Sequence, residues 1–138
     1  MIIVLDSNVL VSGLLSPFGP PGTIVKLVAA GTLRLAYDAR ILSEYRDVLL
    51  RPAFGFDAQH VEVLLDQIEA AGVPTTSVPL NLGLPDPDDE PFLEVAQAAQ
   101  AQYLVTGNLK HFPAARRGGT EVILPAEFVK RWLASLKR

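Results

Sequence analysis

The run Ile2-Ile3-Val4-Leu5 limits the folds open to this chain more than any other stretch. Its residues are β-branched or leucine, with no alternation of polar and apolar side chains, the pattern of a strand covered on both faces. Such a strand belongs in a parallel sheet, and a parallel sheet is connected by crossovers that lay helices over it. The run ends on an acid, Asp6, followed by Ser7-Asn8 and a short helical pattern through Val9-Leu10-Val11 and Leu14-Leu15. With no basic region ahead of the apolar residues and an acid directly after them, the segment reads as a strand rather than a signal peptide.

Strand and helix patterns alternate through the rest of the chain. Ser16 to Gly22 is a loop by its Pro and Gly content, and Thr23 to Ala30 is a helix stopped at Gly31. Leu33 to Tyr37 reads as a second strand. Asp38 suits the N-cap of a helix from Ala39 to about Leu50, which the restriction of Pro52 on Arg51 brings to an end. A helix from Asp57 to Ala71 puts Val61, Leu64, Leu65 and Ile68 on one face, with Gly72 closing it. Val73 to Leu84 is irregular, with one extended piece at Ser77 to Leu80. A helix to about Ala99, a strand over Ala101 to Thr106 and a turn from Gly107 to Pro113 follow. A flexible Ala114 to Gly119, a strand over Glu121 to Leu124 and a helix from Pro125 complete the pattern. The expectation is an α/β fold over residues 1–138 as one domain, with a mainly parallel sheet covered on both faces.

Ligands of such sheets bind outside the carboxyl ends of the strands. Asp6 and the Thr106-Gly107-Asn108 turn therefore belong at one edge. Whether Pro85-Asp86-Pro87-Asp88-Asp89-Glu90 reaches that edge depends on the loop before it, which the sequence leaves open. The absence of cysteine excludes disulfides, zinc–thiolate sites and thiol nucleophiles. Net charge is −3, yet the last thirty residues carry Lys110, Arg116, Arg117, Lys130, Arg131, Lys137 and Arg138 against Glu121 and Glu127. That asymmetry fits a metal site beside a phosphate-binding surface, and equally plain solubility. No apolar stretch is long enough to span a bilayer, so no membrane partner and a cytoplasmic location are expected.

The acidic cluster exceeds what helix capping needs, and hard-oxygen binding of a divalent cation would use the surplus. Asp6 can cap the helix after it, bind metal, or do both. Glu44 falls at the border of the apolar stripe Ile41, Tyr45, Val48 and Leu49, where it can pair with Arg40 one turn back or reach over the sheet edge.

The motifs Val4-Leu5-Asp6-Ser7-Asn8-Val9-Leu10, Ser43-Glu44-Tyr45, Asp86-Pro87-Asp88-Asp89 with Phe92-Leu93-Glu94-Val95-Ala96, and Tyr103-Leu104-Val105-Thr106-Gly107-Asn108 stand in register. In that order the chain resembles PIN domains, metal-dependent ribonucleases that include VapC-like toxins of toxin–antitoxin pairs. The resemblance implies a three-layer α/β/α sandwich and acids holding one or two Mg²⁺ or Mn²⁺ ions. Asp6, Glu44 and Asp89 match the three principal acids. Asn108 stands where a fourth acid is common and His111 where many relatives have Asp, so one charge is missing; Asn still offers a neutral oxygen. Asp86 or Asp88 would compensate for that charge, while Asn8 and Thr106 would orient ligands or water from behind the acids. Lys110, Arg116 and Arg117 would hold the RNA backbone, and His111 would contact RNA or act as general acid. An RNA substrate, a cognate antitoxin and a homodimer complete what the resemblance implies. Two rivals compete with it: a PIN-like binding domain that cuts nothing because Asn108 has weakened the site, and a haloacid-dehalogenase-type phosphatase, which needs an acid where Asn8 stands.

Overall fold

The computed structural model describes residues 1–137; Arg138, counted above among the basic residues, lies outside them. The apolar run at the start forms β1 (Ile2–Leu5), and its unalternating character has the expected cause. It is the central strand, paired in parallel with β2 (Arg34–Tyr37) on one side and β4 (Tyr103–Val105) on the other. Ile3, Val4 and Leu5 are fully buried. With β3 (Val73–Pro74) and β5 (Val122–Ile123) at the edges, the order is β3-β2-β1-β4-β5, parallel throughout.

Among the described residues six helices cover this sheet and make a three-layer α/β/α sandwich. They are α1 (Ser7–Leu15), α2 (Pro20–Ala29), α3 (Ala39–Leu49), α4 (Ala58–Ala71), α5 (Glu90–Ala98) and α6 (Pro125–Ser135). α5 packs on β1, β2 and β4, α3 and α4 on β2, while α2 joins α1, α4 and α6. The strands advance from β1 through β2 to β3, then resume on the other side of β1 with β4. Strand order thus reverses between β1 and β4, and at such a reversal the loops diverge and leave a crevice.

Several boundaries differ from the sequence expectation for physical reasons. α2 starts at Pro20 rather than Thr23, because two prolines fit the first helical positions, where no backbone N–H is needed. Gly22 lies within it, packed so closely that a Cβ would sit 2.2 Å from the carbonyl oxygen of Pro17. Gly72 does close α4, but at an ordinary φ of −81°. Glycine is needed there for space: a Cβ would meet the carbonyl oxygens of Ile68 and Leu35 at 2.4 and 2.5 Å.

The extended piece expected at Ser77–Leu80 is not a strand; the strand is Val73–Pro74, paired with Ala36–Tyr37. Residues 75–84 run as an irregular strap fastened by side chains. Buried Glu94 accepts from the Leu80 amide (3.2 Å) and from Arg40 (2.8 Å), and Glu90 accepts from the Leu82 amide (3.1 Å). Arg40 also binds Asp38 and Ser77. The expected pairing of Arg40 with Glu44 is therefore incorrect, because two other carboxylates offer the guanidinium better geometry. The segment 114–119, expected to be flexible, contains a 3₁₀ turn at Ala114–Arg116.

Candidate active site

Leu5 and Val105 are opposite one another in the sheet, so the residues that follow them, Asp6 and Thr106, emerge side by side at the crevice. Thr106 is fully buried and its hydroxyl donates to Asp6 Oδ2 at 2.8 Å. Asp6 occupies the boundary position of α1, but its side chain closes no capping hydrogen bond. The capping role considered for it is thus corrected: the carboxylate turns sideways toward β4. Asn8, in the first turn of α1, accepts from the Gly107 amide at 3.1 Å and ties that turn to the loop after β4.

Glu44 comes from the middle of α3, with Ile41, Tyr45 and Leu49 buried beside it. Its carboxylate accepts a short hydrogen bond from the Ser7 hydroxyl. Tyr45 anchors the helix by donating to the carbonyl of Leu5 at 2.5 Å, immediately before Asp6. Asp89 arrives from the 3₁₀ turn Pro87–Asp89 that leads into α5. It is buried, and its Oδ2 has no hydrogen-bond partner among the described residues. His111 Nδ1 lies 3.8 Å from that oxygen.

Asp6, Glu44 and Asp89 therefore line one open cleft of about 370 Å³, together with Ser7, Asn8 and His111. Val11, Val48 and Phe54 form its apolar wall, and Arg51 contributes a cation. Neither Ser7, which stands in the motif around Asp6, nor Arg51, which marks the end of a helix, is among the candidate site residues in the sequence. Their approach to Glu44 and the cleft is a tertiary fact without a local pattern.

All three acids are held above their ordinary carboxylate values. Burial raises Asp6, opposed by the Thr106 hydroxyl, by His111 and by the nearby amides of Asn8 and Ser7. Burial likewise raises Glu44, against the Ser7 bond, and the charges of Asp6 and Asp88 add to it. Asp89 is pushed up to about 6 by burial first and then by Asp6; His111 opposes the rise, and Asp86 and Glu44 reinforce it. Crowded, desolvated carboxylates with an unpartnered buried oxygen are short of positive charge, and a hard divalent cation supplies it. Among the described residues no three acids or histidines already close on a single point. The donors ring a space, and their oxygen chemistry fits Mg²⁺ or Mn²⁺.

The other sequence candidates are placed differently. Asp86 and Asp88 are exposed and do not line the cleft, and the Asp86 carboxylate caps its own turn by accepting from the Asp88 amide at 2.9 Å. Asn108 caps the 3₁₀ turn Leu109–His111: its Oδ1 accepts from the Lys110 amide at 3.1 Å, and its amide nitrogen faces His111 Nε2. Lys110 is exposed. Arg116 and Arg117 donate to the carbonyls of Leu82 (3.2 Å) and Phe112 (2.8 Å), so they fasten loops and do not line the cleft.

The family model described as PIN domain matches residues 2–110, a span containing Asp6, Glu44, Asp89 and Asn108. The chain belongs to the PIN-domain family. No curated protein and no solved structure matches it. For this PIN domain, membership indicates a nuclease-type hydrolytic function, nucleic acid as the class of ligand and divalent metal as the usual means. No helix among the described residues is long and apolar enough to cross a membrane.

Proposed function

We propose that this PIN domain is a metal-dependent endoribonuclease that hydrolyses RNA phosphodiester bonds with Mg²⁺ or Mn²⁺. The observation that supports this reading above all is the meeting of Asp6, Glu44 and Asp89, far apart in the chain, around one cleft where each is buried enough to resist ionisation. These three carboxylates hold the ion. When bound, it supplies a bound water of lowered pKa and neutralises charge on the scissile phosphate.

The protein's own groups keep that arrangement in place. Thr106 holds Asp6 by one oxygen, Ser7 holds Glu44, and Asn8 ties the loop after β4 to α1. Arg51 at the cleft wall and Lys110 on the neighbouring turn supply cations for the RNA backbone, which give affinity without sequence preference. In the cell we place the domain in the cytoplasm, as the toxin of a toxin–antitoxin pair and a homodimer. Its antitoxin would bring an Arg or Lys against the carboxylates.

The test is cleavage of single-stranded RNA by the purified chain with Mn²⁺ or Mg²⁺, compared with Asp6→Asn and Asp89→Asn and with chelator present. We expect each change to lower the rate at least about a hundredfold. Cleavage indifferent to both substitutions, or to chelator, would end this reading. A second reading, a PIN-like domain that binds RNA or a partner without cutting it, is favoured by one observation: Asn108 is engaged in its own turn. It predicts no Mn²⁺ binding at millimolar concentration.

A further inference from the structure

We infer that Asn108 acts through His111, fixing the neutral imidazole with its proton on Nδ1 and making it a hydrogen-bond donor between Asp89 and the cleft. This deepens the nuclease reading, on which the identity of the substrate atom depends, namely an oxygen of the scissile phosphate. Asn108 is then a positioning residue rather than a metal ligand.

The assignment follows from which groups can donate. The Lys110 N–H donates to one arm of the Asn108 side chain at 3.1 Å, so that arm is the carbonyl oxygen. The other arm is the amide NH₂, which can only donate. It lies 3.1 Å from His111 Nε2. A donor facing Nε2 requires a lone pair there, and the proton of the neutral ring must then sit on Nδ1. That nitrogen lies 3.8 Å from Asp89 Oδ2, which is buried and lacks a hydrogen-bond partner among the described residues. A ring displacement of less than about 1 Å brings the two into hydrogen-bond distance. The imidazole lines the cleft and is partly exposed, so the same N–H can reach a phosphate oxygen.

Asn108 is itself held in register with the opposite acid. Its backbone N–H donates to Thr106 Oγ1 at 3.1 Å, and that hydroxyl donates to Asp6 Oδ2 at 2.8 Å. A directional path thus joins Asp6 to Asp89 through Thr106, Asn108 and His111. An acid at 108 would reverse its last step. A carboxylate can only accept, so it would draw the ring proton to Nε2 and turn a bare Nδ1 lone pair toward Asp89. Asn at 108 and His at 111 are therefore a matched pair.

The test reads ring nitrogens directly, by two-bond ¹⁵N–¹H correlation of the neutral imidazole in metal-free, RNA-free protein. The unmodified chain should show a pyrrole-type Nδ1 and a pyridine-type Nε2. Asn108→Asp, which keeps the capping oxygen, should exchange the two, and Asn108→Ala should return the ring toward the Nε2–H form. An Nε2–H ring in the unmodified chain, or a pattern unchanged in Asn108→Asp, would overturn the inference. In cleavage assays His111→Ala should lower kcat roughly a hundredfold. His111→Gln, which keeps an N–H donor, should stay within about tenfold of the unmodified chain; equal loss in both overturns the donor role. Failure of the unmodified chain to cut RNA would remove the nuclease reading, while the nitrogen spectra still decide the tautomer.

Discussion

Asp89→Asn should stabilise the metal-free protein, and by an amount that depends on pH. Asp89 is 8% exposed, and its carboxyl is raised from 3.8 to about 6. At about 1.4 kcal/mol per pH unit, that rise costs the folded state up to about 3 kcal/mol once the group is ionised. The sign follows from linkage: the folded chain binds this proton more tightly than the unfolded one. The cost is therefore absent below pH 3.8, grows as pH rises and is complete above about pH 6. Asn removes the charge and keeps the shape. Relaxation around Asp6 and Glu44 reduces the gain, leaving about 1–3 kcal/mol near neutral pH. At about 3–4 °C per kcal/mol for a chain of this length, Tm should rise by roughly 3–12 °C. Thermal melts in EDTA at pH 7.5 and pH 4 measure it, and most of the difference should vanish at the lower pH. Saturating Mn²⁺ should reverse the order, because only the chain with the full acid set gains binding free energy. An Asp89→Asn protein less stable than its parent at pH 7.5 in EDTA, or a difference that does not change with pH, would refute the account of the site as crowded, desolvated charge.

Two further substitutions test how the fold delivers these acids. Glu94→Ala removes the acceptor shared by Arg40 and the Leu80 amide and should cost about 1–3 kcal/mol in urea denaturation. Amide exchange at Leu80 should accelerate, and cleavage should fall because Asp89 follows the loosened strap. Gly22→Ala places a methyl group 2.2 Å from the backbone oxygen of Pro17, so the loop before α2 must shift, and the change should lower stability by about 1–3 kcal/mol in the same assay.

The parts of this fold legible in sequence are those set by local periodicity and capping. β1 announced its central place through four apolar residues without alternation. Asp38 caps α3 through its side chain, as its position ahead of the helical pattern suggests, whereas Asp57, read as the first residue of its helix, caps α4 from just outside it. What escaped was set by distant partners. β3 is two residues long and half proline, so neither period nor propensity marks it; only the backbone of β2 makes it a strand. Missing it left open where the acidic cluster lies. Once β3 is recognised as parallel, the chain leaves it at the carboxyl edge, and α5 must start at that edge to return to β4. The position of Asp89 beside Asp6 then follows from topology. Arg116 and Arg117 misled for a related reason: a guanidinium in sequence looks free, yet Arg116 is occupied by the Leu82 carbonyl of a distant strap and Arg117 by the Phe112 carbonyl of its own loop.

The acidic cluster itself shows why counting charges is a poor guide to a site. Of its four carboxylates, Asp86 caps the turn it begins, Glu90 holds the Leu82 amide, and Asp88 stays exposed. Only Asp89 turns into the cleft, and its Oδ2 is buried without a hydrogen-bond partner among the described residues. Three of the four acids thus have ordinary or solvent-facing positions, and the cluster alone gives no reason to expect a cation. The reason comes from Asp89 meeting Asp6 and Glu44, each desolvated and raised by burial, with neighbouring carboxylate charge adding to the rise at Glu44 and Asp89. A site of this kind is defined by where buried charge lacks a counterpart, and the sheet's reversal between β1 and β4 is what gathers it there.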